Sequence, residues 1–247
     1  MNPADMTLAD WLDRVGELSG EIMPLPVREQ MATFIQMLQA ANRNINLTAI
    51  ADDEGIAIRH ILDSMTLLPL VDKLQAECPQ PISLVDVGTG AGFPGMPLKL
   101  LRPACSVVLL DALAKRLRFL DTVIEQLRLD NIRTWHGRAE DAGREDGLRG
   151  RFDLAVARAV APLNVLAEYG LPLVRTGGLF VAMKGRPESE WPLAARAVKI
   201  LGGELEDIRQ FILPGTDMQR SLFCLRKVRT TPNAYPRKAG KAEKQPL

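Results

Sequence analysis

Three glycines at alternate positions follow an apolar stretch and an aspartate, in the order Asp86, Gly88, Gly90 and Gly92. Because glycine has no side chain, the backbone there can turn sharply and approach a ligand closely. Asp111 stands 21 residues after Gly90, at the end of the next apolar stretch, where an acid can accept hydrogen bonds from ribose hydroxyls. The spacing predicts a bound nucleoside, held by Asp86, Gly88, Gly90 and Asp111. The alternative is a tight strand-to-helix turn without a ligand.

The charge of Asp86 indicates which nucleoside to expect. A dinucleotide-binding loop must hold a pyrophosphate, which a carboxylate at this position would repel. S-adenosylmethionine has no phosphate, and an acid attracts its sulfonium and ammonium groups. The sequence lacks the P-loop signature, which argues against nucleoside triphosphate hydrolysis. We therefore expect S-adenosylmethionine as the cofactor, S-adenosylhomocysteine as its product, and no metal.

The methyl acceptor should lie at the carboxyl ends of the parallel strands. The loop after the fourth predicted strand contains Arg158, but neither the Asn/Asp-Pro-Pro-aromatic motif of amine methyltransferases nor a Pro-Cys nucleophile. Guanine N7 has its own lone pair and needs neither device. Arg158 is a fork donor suited to guanine or phosphate, and Lys184 ends the fifth predicted strand beside the same crevice. Arg158 and Lys184 are the candidate catalytic residues, with a structural ion pair and a solvated surface lysine as the respective alternatives.

Two kinds of structure must position these residues. Over residues 5–75 apolar residues recur at three- and four-residue steps, which predicts helices, with Thr7 as an N-cap and Pro26 in a first turn. A later helical run is expected to end at Pro69. After residue 78, short apolar runs alternate with helical stretches, which predicts a mostly parallel sheet.

The second part of the chain should contain seven strands, at 83–87, 106–110, 131–135, 152–157, 179–183, 205–211 and 222–227. Helices are expected at 97–101, 112–129, 162–173 and 188–201. The last two strands are joined by a loop too short for a crossover helix, so they should pair antiparallel. The expected fold class is α/β, a Rossmann-like class I S-adenosylmethionine-dependent methyltransferase with an N-terminal helical extension. The expected division is a helical region at 1–78, a methyltransferase domain at 79–228 and a basic tail at 229–247.

The composition is that of a globular chain. Of 247 residues, 47% are hydrophobic and 25% are charged, which excludes disordered, collagen-like and disulfide-scaffold classes. No run approaches the roughly 18 to 20 uncharged residues of a membrane span, and the N-terminus does not read as a signal peptide. The three cysteines form no CxxC motif, which predicts neither a disulfide framework nor a zinc site and favours a reducing cytoplasm.

Positive charge is concentrated at residues 226–247, where seven lysines and arginines face one acid, Glu243, although the whole chain carries a net charge of +1. A basic tail suits a nucleic-acid partner, and a solvated, partly disordered terminus is the alternative. Aromatic residues are only 5% of the chain. RNA binding should therefore depend on phosphate contacts and one extruded guanine rather than on base stacking.

With these segments in this order, the chain resembles the small-subunit ribosomal RNA methyltransferase G family (RsmG, also called GidB). The resemblance covers nearly the whole chain. Its segments lie at 46–48, 59–64, 86–97, 111–120, 138–141, 158–162, 184–185 and 235–240. One departure is Ala112, where the family commonly has serine, so that one hydroxyl at the ribose edge is lost.

The resemblance implies methyl transfer from S-adenosylmethionine to N7 of a guanine in 16S rRNA, guanine 527. It also implies that Gly88 and Phe93 contact the cofactor, that Ala139 and Glu140 lie beside the adenine, and that Arg158 lies in the active site. The expected partner is 16S rRNA or the small ribosomal subunit, without a membrane, and the protein is expected to be a monomer.

Some residues keep two interpretations. Phe93 could pack on the cofactor or belong to the core. His60 is expected to bond across the boundary between the helical region and the sheet, and neither His60 nor His136 has metal-ligand spacing. Three basic residues after Asp111 are expected either to contact phosphates or to lie on a solvent-exposed helix face: Lys115, Arg116 and Arg118.

Two alternatives for the whole protein remain. The first is an NAD-linked oxidoreductase with a similar glycine loop, against which Asp86 and the lack of a recognisable proton-donating dyad argue. The second is a non-catalytic RNA-binding factor in ribosome assembly that keeps a vestigial cofactor pocket.

Overall fold

The computed structural model describes residues 5–158, 161–185 and 190–247. Helices precede the first strand: α1 (Leu8–Ser19), α2 (Leu25–Ile45), α3 (Asp53–Ile56), a π-helical segment (Ala57–Leu62), α4 (Asp63–Met65) and α5 (Leu68–Ala76). Pro26 lies in the first turn of α2, as predicted. Pro69, predicted to end a helical run, instead lies in the first turn of α5, where its missing N–H leaves no hydrogen bond unmade.

The first helix begins as its sequence predicts. The backbone N–H of Thr7 donates to the carboxylate of Asp10 at 2.8 Å, and the N–H of Asp10 donates to the Thr7 hydroxyl. This reciprocal pair is a capping box, which satisfies N–H groups that a helix start leaves free. Leu12 and Val15 are buried, and Gly20 ends the helix with a φ of 70°. The predicted N-cap at Thr7 is confirmed.

The sheet has seven strands in the described chain: β1 (Ser83–Val87), β2 (Ser106–Asp111), β3 (Ile132–His136), β4 (Phe152–Arg158), β5 (Val174–Lys184), β6 (Gly203–Ile212) and β7 (Gln219–Lys227). Their order is β3-β2-β1-β4-β5-β7-β6. Strands β1 to β5 pair in parallel, and β7 pairs antiparallel with both β5 and β6. The predicted mostly parallel sheet with an antiparallel end is confirmed.

The remaining helices are α6 (Gly95–Leu101), α7 (Ala114–Gln126), α8 (Ala139–Ala142), α9 (Leu163–Gly170), α10 (Glu190–Ile200) and α11 (Lys241–Lys244). Helix α7 begins two residues later than predicted because the Asp111 carboxylate accepts a hydrogen bond from the N–H of Leu113, which holds that segment in a turn. Helix α9 ends at Gly170, earlier than predicted, and a turn follows in which the N–H of Leu173 donates to the carbonyl oxygen of Gly170 at 3.0 Å. The predicted start of α10 at Glu188 lies outside the described residues. The two short helices α8 and α11 were not predicted.

Helices cover both faces of the sheet. Helices α1 to α7 share one buried core with one face, to which Leu84 contributes. Helices α8 to α11 pack on the other face, to which Val85 contributes and where Ala242 of the C-terminal tail is buried. Within the described ranges, no helix combines the length and apolar character needed to cross a membrane. The division at residues 78 and 228 stays a prediction.

Candidate functional site

The glycine-rich segment forms the turn between β1 and α6. Gly88, Gly90 and Gly92 have φ angles of 72°, 60° and 100°, a region that favours glycine. The N–H groups of Gly88 and Thr89 donate to the carbonyl oxygen of Leu110 in β2, at 2.8 and 2.9 Å. Strand β1 lies between β2 and β4, so the turn lies where the strand order reverses. Parallel sheets bind ligands in the crevice at this point.

Asp86 lies beneath the turn and is fully buried. Its Oδ2 accepts hydrogen bonds from the Thr89 hydroxyl at 2.7 Å and from the N–H of Gly95 at 2.8 Å. Its Oδ1 is buried without a partner in the described chain. Burial raises the pKa of Asp86 to about 6. Asp86 therefore shapes the turn from below, and its predicted cofactor contact stays a prediction.

A cavity of about 440 Å³ opens at this turn, which is within the usual range for ligand pockets. Seven of the eight predicted cofactor residues line it: Gly88, Gly90, Phe93, Asp111, Ala139, Glu140 and Arg158. A larger cavity of about 900 Å³ lies between α1 and the loop before β7, and no predicted site residue lines it. Most of the cofactor-binding residues predicted from the sequence therefore line the smaller cavity.

Asp111 ends β2 and is buried in the cavity wall. Its Oδ2 accepts hydrogen bonds from the N–H of Gly90 at 3.0 Å and from Nη1 of Arg116 at 3.2 Å, and its Oδ1 accepts from the N–H of Leu113 at 2.8 Å. A carboxylate has about four acceptor positions, so one remains for a ribose hydroxyl. Arg116 is thus paired with Asp111 and also lines the cavity.

Arg158 ends β4 and is held by the N-terminal helices. Its Nη1 donates to Asp63 Oδ2 and to the carbonyl oxygen of Arg59, both at 3.2 Å, and its Nη2 lies 3.0 Å from His60 Nδ1. The other oxygen of Asp63 accepts a hydrogen bond from Nε of Arg220 in β7 at 2.7 Å. One buried carboxylate thus joins the helical layer to two strands of the sheet.

Phe93 belongs both to the core and to the cavity wall. Its ring stacks on His60, with centroids 4.4 Å apart, and packs against Phe34. The guanidinium carbon of Arg158 lies 5.5 Å from the Phe93 centroid, within cation–π range. Burial, followed by the charge of Arg158, lowers the pKa of His60 to about 3, so this imidazole is neutral near pH 7. His60 makes the expected bonds between helices and sheet and also lines the cavity.

Lys184, the other candidate catalytic residue, lies apart from this wall. Its ammonium donates to the carbonyl oxygen of Ala161 and pairs with Glu190 at 3.0 Å. Glu190 also accepts a hydrogen bond from the N–H of Leu163 at the start of α9. The cavity lining does not include Lys184 among its described residues, so a catalytic role for Lys184 stays a prediction.

The C-terminal tail reaches the same cavity. The N–H of Gly240 donates to Glu140 Oε1 at 2.8 Å, and the Tyr169 hydroxyl donates to Glu243 at 3.1 Å. Tyr169, Glu140 and Glu243 all line the cavity. Burial and the two neighbouring carboxylates raise the pKa of Tyr169. Ala242, between these contacts, is fully buried, so the tail forms part of the cavity wall.

Several basic residues near the C-terminus are used inside the protein. Arg237 donates to both oxygens of the buried Glu168, at 2.6 to 3.1 Å. Arg149 holds the tail from the other side by donating to the carbonyl oxygen of Tyr235 at 2.8 Å. Lys227 is buried, and this burial lowers its pKa to about 7. Lys227 and Arg237, two of the seven basic residues counted at 226–247, are therefore not available to a partner.

The cavity wall also contains residues to which no sequence pattern gave a role in the cavity, among them Thr48, His60, Tyr169 and Glu243. Thr48 and His60 lie in segments that carry the family resemblance, which was the available signal. Tyr169 and Glu243 lie in no motif, and their contact joins positions 74 apart.

The family model for rRNA small subunit methyltransferase G matches residues 27–221. Ribosomal RNA small subunit methyltransferase G of Acetivibrio thermocellus is 46% identical over 219 residues, which is 89% of this chain and 88% of that protein. The protein of the same name from Lactobacillus johnsonii is 44% identical over 222 residues, 89% of this chain and 91% of that one. These matches confirm the resemblance seen in the sequence.

The fold is also similar to that of solved methyltransferases. A geranyl diphosphate methyltransferase in complex with S-adenosylmethionine superposes with a TM-score of 0.53 at 16% identity, covering 74% of this chain and 94% of that one. This likeness concerns the fold alone, and it confirms the predicted Rossmann-like class I methyltransferase architecture. With the sequence matches along most of its length, the chain belongs to the rRNA small subunit methyltransferase G family.

Proposed function

We propose that the protein transfers a methyl group from S-adenosylmethionine to N7 of a guanine in 16S rRNA, guanine 527, of the small ribosomal subunit. Family membership supports methyl transfer to rRNA rather than NAD-linked oxidation. The observation that carries the proposal is the shared cavity of Asp111 and Arg158. It joins an acceptor for ribose to a fork donor suited to a base or a carboxylate.

The residues of the cavity fit this cofactor. Asp111 keeps an acceptor position for a ribose hydroxyl, and Ala139 and Glu140 form the wall expected for adenine. The buried, unpartnered oxygen of Asp86 gives the floor of the turn a negative character that suits a cation. When bound, S-adenosylmethionine supplies a methyl group on a sulfonium, which a lone pair can displace.

The chain's own contribution is to hold and orient the reacting groups. Guanine N7 carries a lone pair and no proton, so the reaction needs no general base. His60 is not free to act as one, because its Nδ1 lone pair accepts a hydrogen bond from Arg158. Arg158 is kept in place by Asp63 and His60, and its remaining N–H groups can orient an acceptor base or a carboxylate.

We propose further that the protein acts as a monomer in the cytoplasm. The three cysteines, none of them in a disulfide, support a reducing compartment.

The test is methyl transfer to small ribosomal subunits from cells that lack this protein, with mapping of N7-methylguanine in the rRNA. Arg158→Lys keeps the charge but loses the fork geometry, so we expect transfer to fall about 100-fold. Arg196→Lys on the exposed side of α10 is the matched control and should transfer normally. Binding of subunits without transfer by the wild type would support the non-catalytic alternative. Normal transfer by Arg158→Lys would refute the active-site assignment.

A further inference from the structure

Thr48 lies in the loop after α2, and hydrogen bonds fix both its backbone and its hydroxyl oxygen. Its N–H donates to Asn42 Oδ1 at 2.9 Å, and its carbonyl oxygen accepts from Asn42 Nδ2 at 2.8 Å. Its hydroxyl oxygen accepts from the N–H of Ile50 at 3.1 Å and lies 3.0 Å from His60 Nε2. Thr48 also lines the cavity. The backbone clamp fixes where this hydroxyl stands.

The direction of the hydrogen bonds follows from Arg158. An arginine can only donate, so His60 Nδ1 must accept, and the proton of this neutral imidazole must be on Nε2. That proton is then donated to the Thr48 oxygen, which already accepts from Ile50. Both lone pairs of the hydroxyl are used. Its hydrogen is left without a described protein acceptor and can be donated into the cavity.

This part of the cavity therefore offers donors, from Arg158 and Thr48. The edge of guanine that carries N7 also carries O6, and both are acceptors. Adenine has an amino group in place of O6. This amino group is a donor, so it could not accept the hydrogen of the hydroxyl. A site built to hydrogen-bond one group discriminates strongly against an analogue that lacks it.

The position of Thr48 favours the acceptor base over the cofactor as its partner. The glycine turn and Asp111 lie at the carboxyl ends of β1 and β2, where this type of sheet binds its nucleoside. Thr48 belongs instead to the helical layer that packs on one face of the sheet. A charged guanidinium suits the carboxylate of the cofactor, and a neutral hydroxyl suits the neutral carbonyl O6.

We propose that the Thr48 hydroxyl donates a hydrogen bond to O6 of the target guanine and so determines the preference for guanine over adenine. This inference rests on the proposed function and names the residue that reads the base. Asn42 and His60 act as positioning residues for that hydroxyl.

The experiment compares two substrates and four proteins. Small subunits are reconstituted with guanine or with 2-aminopurine at the target position, since 2-aminopurine keeps N7 and the 2-amino group but lacks O6. The proteins are the wild type, Thr48→Val, Thr48→Ser and the matched control Thr33→Val on α2. For each pair we measure kcat/KM for methyl transfer, and by calorimetry the Kd for S-adenosylhomocysteine, which also reports folding.

We expect Thr48→Val to lower kcat/KM at least about tenfold on guanine and less than about threefold on 2-aminopurine, since only guanine loses a hydrogen bond. Thr48→Ser, which keeps the hydroxyl, should restore the guanine preference. Thr33→Val should match the wild type.

Equal losses on both substrates, or no loss on either, would overturn the inference while leaving the proposed function in place. A weakened Kd that accounts for the loss would assign the hydroxyl to the cofactor and would also overturn it. If the wild type forms no N7-methylguanine on the guanine substrate, the proposed function fails and the inference fails with it.

Discussion

The backbone N–H of Gly240 donates to the side chain of Glu140 at 2.8 Å, although 100 positions separate the two residues. The tail thereby fixes a residue of the predicted adenine wall. Deletion of residues 240–247 removes this contact and also the partner of Tyr169. We expect the Kd for S-adenosylhomocysteine to weaken about tenfold or more, because a buried carboxylate loses its donor. Calorimetry on the full-length and shortened proteins measures this.

The control for that deletion is the double variant Lys241→Ala, Lys244→Ala, which removes two charges and leaves the backbone of the tail in place. Its Kd for S-adenosylhomocysteine should match the wild type. The slope of log affinity for RNA against log salt should shrink by up to about two. If the deletion leaves cofactor affinity intact, the tail has no part in that site.

Asp63 accepts hydrogen bonds from two arginines, Arg158 and Arg220. The change Asp63→Asn removes the negative charge and leaves both cations without their counter-ion. We expect the free energy of unfolding to fall by about 3 kcal/mol, because a broken buried pair leaves uncompensated charge. The matched control is Asp72→Asn, since Asp72 pairs with Arg102 at the surface, where such pairs contribute about 1 kcal/mol or less. Urea unfolding of both variants measures this free energy. Equal small losses in the free energy of unfolding of the two variants would contradict the prediction.

His60 should make stability depend on pH. Burial and the charge of Arg158 lower its folded pKa to about 3, from 6.5, so between these values the unfolded chain binds a proton that the folded protein does not. Stability is therefore lost as the pH falls below 6.5, by up to about 1.4 kcal/mol per pH unit. Asp86 has the opposite effect, since its raised folded pKa of about 6 favours the folded state as the pH falls from 6 to 3.8.

Comparison with His60→Gln separates the two effects, because Asp86 is present in both proteins. Urea unfolding at pH 7, 6 and 5 should show the stability difference between wild type and variant changing by about 2 kcal/mol in favour of the variant. Parallel curves would show that His60 does not titrate as described.

Gly95 begins α6 directly against Asp86. A Cβ at this position would lie 2.9 Å from Asp86 Oδ2 and would also meet Leu109. Although alanine favours helices, we expect Gly95→Ala to lower the free energy of unfolding by about 1 to 3 kcal/mol through this overlap. Gly147→Ala is the control, since nothing lies within 4 Å of its added Cβ. Thermal melts of both variants test the prediction, which a neutral Gly95→Ala would contradict.

Local sequence patterns predicted the sheet and the glycine turn well. The strands and the antiparallel pair of β6 and β7 follow from apolar runs and loop length, and Asp111 follows from its spacing to Gly90. The start of α7 was predicted less well, because one side-chain bond from Asp111 to Leu113 decides it. Helix propensity does not record such a bond.

The rest of the site depends on contacts between distant positions. His60 reaches Arg158 only because the helical layer packs on the sheet, and Glu243 reaches Tyr169 only because the tail folds back. The sequence indicated that His60 bonds across the boundary between the helical layer and the sheet, but not that its partner is Arg158. The count of basic residues suggested that Arg237 is available to a nucleic acid, but Arg237 is paired with the buried Glu168.

The two bonds of Asp63 span 95 and 157 positions, and they cross the seam between the helical layer and the sheet. Slight separation of the two layers would break them while leaving every helix and strand intact. At low denaturant concentration, methyl transfer should therefore be lost before the circular dichroism of the backbone changes. An activity assay would detect the separation of the two layers earlier than spectroscopy does.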